Sequence, residues 1–210
     1  PYSSWARLAL LRIADTNLER GKFSEAVDGY RNFLKYYPKH DQAPFARLQI
    51  GNAYFDQIPE DWWFLPPTVE KDQANIRRAI DAFRQMISIY PNSKESTVAK
   101  ARIKECRHKL AAHEFYVAQF YFEREKYKGT ILRSNHLLTH YPNLGLDTQA
   151  LLIGAKAHIA QEEPVKAREK LSRLVEEFAE TKEAKDAKLL LKTLPASPTP
   201  ASPTSTGNIP

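Results

Sequence analysis

Apolar residues recur every three or four positions along most of the chain, which is the spacing of one face of an α-helix. In segment 23–36, Phe23, Val27, Tyr30 and Leu34 share such a face. The same spacing predicts helices over 76–89, 127–140 and 164–177. A second amphipathic segment precedes each of these four, at 8–18, 45–55, 114–122 and 151–159. The pattern therefore predicts an all-α chain of antiparallel helix hairpins.

An aromatic residue followed by proline closes three of the predicted hairpins. The pairs are Tyr37-Pro38, Tyr90-Pro91 and Tyr141-Pro142, and Phe178-Ala179 is a degenerate fourth member. Successive members are 53, 51 and 37 residues apart, against the roughly 34 residues of a tetratricopeptide repeat. The first two intervals exceed one repeat, so extra segments are expected in them.

The small, bulky and turn residues of each hairpin resemble the tetratricopeptide consensus. Small residues let paired helices approach, and large residues fill the gaps between neighbouring hairpins. The resemblance implies an all-α fold, a superhelical solenoid of antiparallel helix hairpins. The matching residues are Leu10, Ile13, Ala14, Gly21, Phe23, Ala26, Tyr30 and Pro38, then Ile50, Gly51, Tyr54, Ala79, Phe83 and Pro91, then Ala118, Tyr121, Tyr127 and Pro142, then Leu151, Ala155, Ala167 and Leu171.

Two segments interrupt the repeat pattern. The insertion 57–75 contains prolines at 59, 66 and 67, too many for a helix interior, and is predicted to be a loop. It also carries the aromatic cluster Trp62, Trp63 and Phe64. An unbroken helical pattern without proline or glycine runs over 97–126. Asn92 and Glu95 have capping-box spacing just before it, so a helix of double length is expected there.

The predicted organisation is a tetratricopeptide array over 1–194 and a tail over 195–210. The tail holds two copies of Pro-Ala-Ser-Pro-Thr, cannot bury a core and is expected to be disordered. The array comprises repeats at about 5–40, 41–91 with the insertion, 96–142 with an extended first helix and 147–180, followed by a capping helix at 182–193.

Composition excludes several functional classes. The net charge of +6 is modest, and no basic stripe with interleaved aromatics indicates nucleic-acid binding. Only 7 glycines are present, which disfavours phosphate-binding and dinucleotide-binding loops. The longest apolar runs, such as 8–11 and 150–153, fall far short of the roughly 18 residues that cross a bilayer.

No catalytic, cofactor or metal site is predicted. His113 and Glu114 start like a zinc-protease motif, but Val117 stands where the second histidine belongs. His136 and His140 are four residues apart without a third ligand nearby, so two ordinary imidazoles are the better interpretation. Cys106 lies on the apolar stripe of its helix and is expected to be a buried, unreactive thiol.

A candidate peptide groove lies on the first helix of each predicted hairpin, where two apolar rows flank a polar row. The polar row is Asp15, Asn52, Gln119 and Lys156. Such a surface suits an extended segment with alternating hydrophobic side chains. The alternative is that some of these side chains pack against the next repeat. The apolar rows are Leu11, Leu48, Phe115 and Leu152, and Leu18, Phe55, Phe122 and Ile159.

A basic face is predicted on the long helix. Six cations and two anions occur over 94–109, and Lys100, Lys104 and Arg107 share one side of the helix. The functional interpretation is docking to an acidic partner domain or to anionic head groups. The alternative is a solvated helix face.

Several motifs narrow the resemblance to the BamD lipoproteins of the outer-membrane β-barrel assembly machinery. They are the stretch 110–127, followed by Arg133 and Tyr141-Pro142, then the run Ala-Ile-Asp-Ala-Phe-Arg at 79–84, the run Tyr-Pro-Asn-Ser at 90–93, and the long insertion. The resemblance covers about 1–180. Members of that family begin with a lipidated cysteine and another repeat, so this chain is expected to be a fragment whose lipid anchor lies outside it.

The resemblance implies a non-enzymatic scaffold on the periplasmic face of the outer membrane of a Gram-negative bacterium. Its implied partners are the barrel-forming subunit, accessory assembly lipoproteins and unfolded outer-membrane proteins. Arg133 is implied to contact a POTRA domain of the barrel-forming subunit, where its planar fork could pair with a carboxylate. Trp62 and Trp63 are expected either to dock a partner or to fold back as a lid over the second repeat.

Two alternatives remain open at this point. One is another periplasmic tetratricopeptide adaptor, of the kind that coordinates envelope constriction or cell division. The other is a repeat domain attached to an enzyme that lies outside this chain.

Overall fold

The computed structural model describes residues 4–58 and 73–195. Within them the chain forms nine α-helices and no strand, which confirms the predicted all-α class of tetratricopeptide-like helix hairpins. The insertion residues Trp62, Trp63 and Phe64 and the tail 196–210 lie outside the described residues. The helices are α1 Ser4–Glu19, α2 Phe23–Tyr36, α3 Ala43–Phe55, α4 Ala74–Ile89, α5 Lys94–Glu123, α6 Tyr127–His140, α7 Asp147–Ala160, α8 Pro164–Glu177 and α9 Lys182–Thr193.

The chain divides into two compact units between residues 116 and 117, inside α5. In the first unit α1 packs on α2, α2 on α3 and α3 on α4. In the second unit α6 packs on α7, α7 on α8 and α8 on α9, and α9 also touches α7. Short connections join most of these neighbours, so consecutive helices form antiparallel hairpins.

The core of the first unit is built where a small residue of one helix faces a large one of the next. A methyl group at Gly51 in α3 would overlap the ring of Phe83 in α4, which is fully buried. Tyr30, also fully buried, donates its hydroxyl proton to Asp15 Oδ1 of α1 at 2.7 Å. Burial, followed by that hydrogen bond, raises the pKa of Tyr30.

The turns between the two helices of a hairpin share one backbone geometry. The residue with positive φ is Gly21 at 71° after α1, Glu125 at 57° after α5 and Glu162 at 57° after α7. In each turn the next N–H reaches back to a carbonyl five residues earlier, at 2.8 Å in the first turn and 2.9 Å in the other two. This is the Schellman pattern, which normally places glycine at the left-handed position. Two of the three turns therefore hold a glutamate in a conformation that L-residues disfavour.

The third turn carries an additional tie. The ring nitrogen His158 Nδ1 lies 2.7 Å from the Glu163 carboxylate, and the Lys166 ammonium lies 2.8 Å from its other oxygen. The hydrogen bond from Lys166, followed by that to His158, holds the pKa of Glu163 below its usual range.

The aromatic residues that close the hairpins adopt nearly the same conformation. The backbone φ of Tyr37, Tyr90, Tyr141 and Phe178 lies between −134° and −128°, and each N–H donates to the carbonyl four residues earlier. A proline after the residue disfavours helix and explains the three tyrosines. Phe178 has the same geometry before Ala179, where its ring packs against the core of the second unit. Burial of the aromatic ring therefore closes a hairpin even without proline.

The long helix differs from its predicted bounds. It begins at Lys94 and ends at Glu123 instead of Lys126, because residues 124–126 form the Schellman turn. Its capping side chain is Ser93, whose Oγ accepts from the Ser96 N–H at 3.2 Å, so the assignment of Asn92 as the cap is wrong.

The end of the described chain is held by an arginine. One guanidinium nitrogen of Arg168 in α8 donates to the carbonyl oxygens of Leu194 at 3.2 Å and Pro195 at 2.8 Å. Both carbonyls lie just beyond the last residue of α9, so this contact ties the residues that follow α9 to α8.

Replacing Glu125 or Glu162 with glycine is expected to stabilise the protein. The left-handed conformation costs a non-glycine residue roughly 1–2 kcal/mol, partly offset by the greater unfolded-state entropy of glycine. We expect a net gain of about 0.5–1 kcal/mol per site in urea unfolding followed by circular dichroism. The control Glu169→Gly, in the interior of α8, should lose about 1 kcal/mol. Destabilisation at all three positions would show that the turn glutamates are not strained.

Gly51→Ala is expected to destabilise the first unit. The added methyl group has no space beside Phe83, and overpacking a core costs about 1–3 kcal/mol. Ser88→Ala, at an exposed position of α4, should change the free energy of unfolding by less than about 0.5 kcal/mol. Equal stabilities of the two variants would contradict the close contact between α3 and α4.

Candidate interaction surfaces

The predicted groove residues of the first three hairpins, which are six of the eight residues in the two apolar rows, differ in exposure. Leu11 and Leu48 are buried, with 5% and 7% of their surface exposed, and Leu11 belongs to the core of the first unit. Leu18, Phe55, Phe115 and Phe122 are half-buried. Leu11 and Leu48 therefore leave almost no surface for a ligand, because the neighbouring helices cover them. The groove itself stays a prediction, carried by the other four side chains.

A cation covers Phe55, one of those four. The Arg102 guanidinium of α5 lies 4.5 Å from the centre of the Phe55 ring and also pairs with Glu105 at 3.2 Å. Beside it, burial raises the pKa of Asp56, and the charge of Arg102 opposes that shift. A ligand that contacts the face of Phe55 must therefore accommodate or displace Arg102. This contact joins α3 to α5 across a distance in sequence that no local pattern reveals.

The polar row between the apolar rows is partly used inside the protein. Asp15 accepts from Tyr30 and lies 3.7 Å from the Arg12 guanidinium, so it ties the first hairpin together. Asn52 differs, since its Oδ1 is buried and has no hydrogen-bond partner. A buried acceptor without a donor is unfavourable. Asn52 is therefore the member of the row that gains most from a ligand N–H.

Phe122 lies in the second unit, next to the turn that follows α5. Its ring meets Tyr127 edge to face, with the two ring centres 5.6 Å apart. The neighbouring Phe120 is exposed and stacks under the guanidinium of Arg124 at 3.5 Å. Aromatic side chains with one free face are good contacts for an apolar peptide side chain.

The three cations of the basic face predicted on α5 differ in exposure. Lys100 and Lys104 are exposed, whereas Arg107 is half-buried and already has an interaction within the protein. On the opposite side of the helix Cys106 is fully buried. A partner could therefore contact the exposed ammonium groups of Lys100 and Lys104, whereas the guanidinium of Arg107 is half-buried and already engaged.

Arg133 lies near the middle of α6 in the second unit. It is half-buried and also has an interaction within the protein. Its neighbour Leu132 is 67% exposed. An exposed leucine next to an arginine offers a partner both an apolar contact and a charged guanidinium group. Such combinations are common at protein interfaces.

The histidines and acidic residues of the described part of the chain do not assemble into a metal site. Within 4–58 and 73–195, no group of three or more histidine, cysteine, aspartate or glutamate side chains is placed to hold a metal ion. The His136 and His140 rings stack with their centres 4.1 Å apart. None of the helices in this part of the chain is both long and apolar enough to cross a membrane.

Cys106 should react slowly with thiol reagents in the folded protein. Burial, followed by the charge of Glu105, raises its pKa to about 12, and the thiolate is the reactive form. We expect Ellman's reagent at pH 8 to modify the native protein at least ~1,000-fold more slowly than the protein in urea, where the pKa is about 8.5. A native rate within about tenfold of the unfolded rate would show that the thiol is accessible.

Tetratricopeptide proteins are among the solved structures to which the fold is similar. A tetratricopeptide repeat protein from Parabacteroides merdae is 12% identical with a TM-score of 0.35, and 90% of this chain and 60% of that chain are covered. The TPR2AB domain of yeast Sti1 in its pHSP90 complex is 12% identical with a TM-score of 0.39, and the coverage is 89% and 70%. Because these TM-scores are low, the fold is assigned from the order and pairing of the helices in this protein.

Curated relatives with similar sequences are named outer membrane protein assembly factor BamD. The Caulobacter vibrioides protein is 24% identical over 159 residues, covering 76% of this chain and 50% of its own length. A Xylella fastidiosa protein is 29% identical over 164 residues, with 76% and 56% covered. The Neisseria gonorrhoeae protein is 26% identical over 170 residues, with 78% and 62% covered. The chain therefore spans about half the length of the first of these relatives and somewhat more of the other two.

A family profile also matches this sequence. The profile of the YfiO family, described as an outer membrane lipoprotein family, matches residues 1–174. That is most of the chain, and it confirms the resemblance to BamD drawn from the motifs at 79–93 and 110–142. The chain belongs to the YfiO family of outer membrane lipoproteins.

Proposed function

We propose that this chain is a non-enzymatic scaffold of the outer-membrane β-barrel protein assembly machinery, acting at the periplasmic face of the outer membrane. The observation that carries the proposal is the family match over 1–174, together with relatives named as outer membrane protein assembly factors. In this role the chain works by binding. No cofactor takes part.

The barrel-forming subunit is the proposed partner of Arg133. The guanidinium has the planar fork that pairs bidentately with a carboxylate, and the exposed Leu132 beside it supplies apolar contact. We propose that a POTRA domain of that subunit presents an acidic residue to Arg133. Lys100, Lys104 and Arg107 provide a second docking face, in the first unit, for an acidic surface of an accessory lipoprotein.

Unfolded outer-membrane proteins are the proposed ligands of the half-buried apolar residues. In the first unit Leu18, Phe55 and Phe115 contact hydrophobic side chains of the substrate, and Asn52 Oδ1 accepts from its backbone. In the second unit Phe122 plays the same part. Contacts of this kind suit an extended segment because its alternate side chains point the same way. Trp62 and Trp63 of the insertion remain a predicted docking element.

The test of this function is the capture of the purified POTRA domains by Arg133 variants. Arg133→Glu is expected to weaken binding about 30-fold, since loss of a hydrogen-bonded interfacial charge costs roughly 2 kcal/mol or more. Arg133→Lys keeps the charge but loses the fork, so it should bind with intermediate affinity. The dissociation constants are measured by biolayer interferometry.

Lys128→Glu is the matched control, because it makes the same charge change at an exposed position of the same helix. It should bind within about threefold of the original chain, because charges at the rim of an interface contribute little. Circular dichroism and melting temperature verify that each variant is folded. Unchanged binding by folded Arg133→Glu would remove Arg133 from the interface.

A further inference from the structure

A basic cleft lies on the first unit, away from the residues assigned above. It has a volume of about 820 Å³ and is lined by residues of α2, α3 and α4. Its lining includes Arg31 and Lys35 of α2, Arg47 of α3 and Arg78 of α4, against a single acidic residue, Asp81. Four cations from three helices therefore converge with a local net charge of +3.

The one acidic lining residue does not neutralise the cleft. The Asp81 carboxylate lies 3.8 Å from Arg84, a residue outside the lining, and both side chains are mostly exposed. Arg78 makes no ion pair with any residue in 4–58 or 73–195. Like charges held close together repel each other, and an anionic ligand relieves that repulsion.

Two of the arginines are positioned by the protein and retain donors for a ligand. Arg31 donates to the Tyr54 hydroxyl at 3.2 Å and lies 3.9 Å from Asp28. The Nε–H of Arg47 is buried and has no acceptor. Because a buried donor without an acceptor is unfavourable, a carboxylate that reaches Arg47 gains a hydrogen bond that the free protein lacks.

The cleft is longer than a site for a single ion. A smaller cavity of about 210 Å³ shares Arg31, Tyr54 and Arg78 with it and extends along α2 to Ser24. Leu34, Ile50 and Ala82 add apolar lining between the charges. A groove with both cations and apolar lining suits a polypeptide segment in which carboxylates alternate with apolar side chains.

An anionic membrane surface fits the cleft less well. Helices that dock on lipid combine basic residues with large apolar side chains that enter the bilayer. The large exposed apolar side chains of the described residues, such as Trp5 and Leu132, include none of those lining the cleft.

We propose that this cleft binds an extended acidic segment of a partner protein, with Arg47 and Arg78 pairing with its carboxylates. The inference goes beyond the proposed scaffold function and does not depend on it, because Arg133 lies in the other unit and contributes nothing here.

The test uses a fluorescein-labelled octapeptide in which glutamate alternates with valine, and fluorescence anisotropy at low salt. The original chain is expected to bind it, and a matched peptide with glutamine in place of every glutamate should bind at least about tenfold more weakly. Arg78→Gln and Arg47→Gln should each weaken binding about tenfold, as expected for loss of one charge-assisted pair. Raising the salt should weaken it further, because the attraction is screened.

Arg77→Gln is the matched control, since it removes one positive charge from an exposed position of the same helix as Arg78 but from outside the cleft. The double variant of Lys100 and Lys104 to glutamine controls for the other basic face. Both should bind the peptide within about twofold of the original chain. Melting temperatures identify any loss of folding in Arg47→Gln, and the exposed Arg78 carries the test if Arg47→Gln does not fold.

Three results would overturn the proposal. No binding of the glutamate peptide by the original chain would exclude an acidic segment as the ligand. Equal losses in Arg78→Gln and Arg77→Gln would show that the peptide follows only the overall positive charge. Binding of phosphatidylglycerol vesicles that depends on Arg78, without binding of the peptide, would replace the partner segment with a lipid head group.

Discussion

Close approach of the two helices in each hairpin is the constraint on which the structure depends. At four contacts the space for a methyl group is missing, because a side chain of the facing helix already fills it. Gly51 beside Phe83 is the tightest of them, and a full aromatic ring occupies the space that a β-carbon would take. This approach buries Tyr30 and Phe83 completely and lets hairpins of about 14 residues per helix form a core that neither helix has alone. The other contacts are Gly29 with Ala14, Gly129 with Tyr121, and Gly154 with Ser134.

Packing of this kind also sets the ends of the helices, where local chemistry alone would not. Glu125 and Glu162 adopt the left-handed conformation that Gly21 adopts easily, since the same turn is needed to bring the second helix back onto the first. Phe178 leaves the helix at the angles of the three tyrosines that precede proline, because its ring packs in the core. Different residues can therefore occupy the same position of the repeat. Burial of side chains in the core offsets the unfavourable local conformation of a residue such as Glu125.

A scaffold needs surfaces more than reactive groups, and the described residues present them in both units. Family membership and relatives named as assembly factors support a role in outer-membrane protein assembly. The proposed surfaces differ in chemistry. On α6, Arg133 lies next to the exposed Leu132, and α5 carries the half-buried Phe115 and Phe122. The third surface is the cationic cleft lined by α2, α3 and α4. Cys106, by contrast, is buried with a raised pKa and packs as an apolar side chain. In the proposed scaffold role, each of these surfaces would suit a partner of different chemistry.

The sequence by itself determined the helices and their order. Three of them, at 23–36, 127–140 and 164–177, have the bounds that the apolar spacing predicts, because helix formation depends on contacts three and four residues apart. It also determined the family, through motifs whose residues are close neighbours in the sequence. Only the tertiary structure decided which apolar residues remain available: Leu11 and Leu48 are covered by neighbouring helices, and Phe55 lies under Arg102 from a helix nearly 50 residues later in the chain. It likewise brought Arg31, Arg47 and Arg78 to one cleft, since charges on three different helices share no local period that a sequence could display.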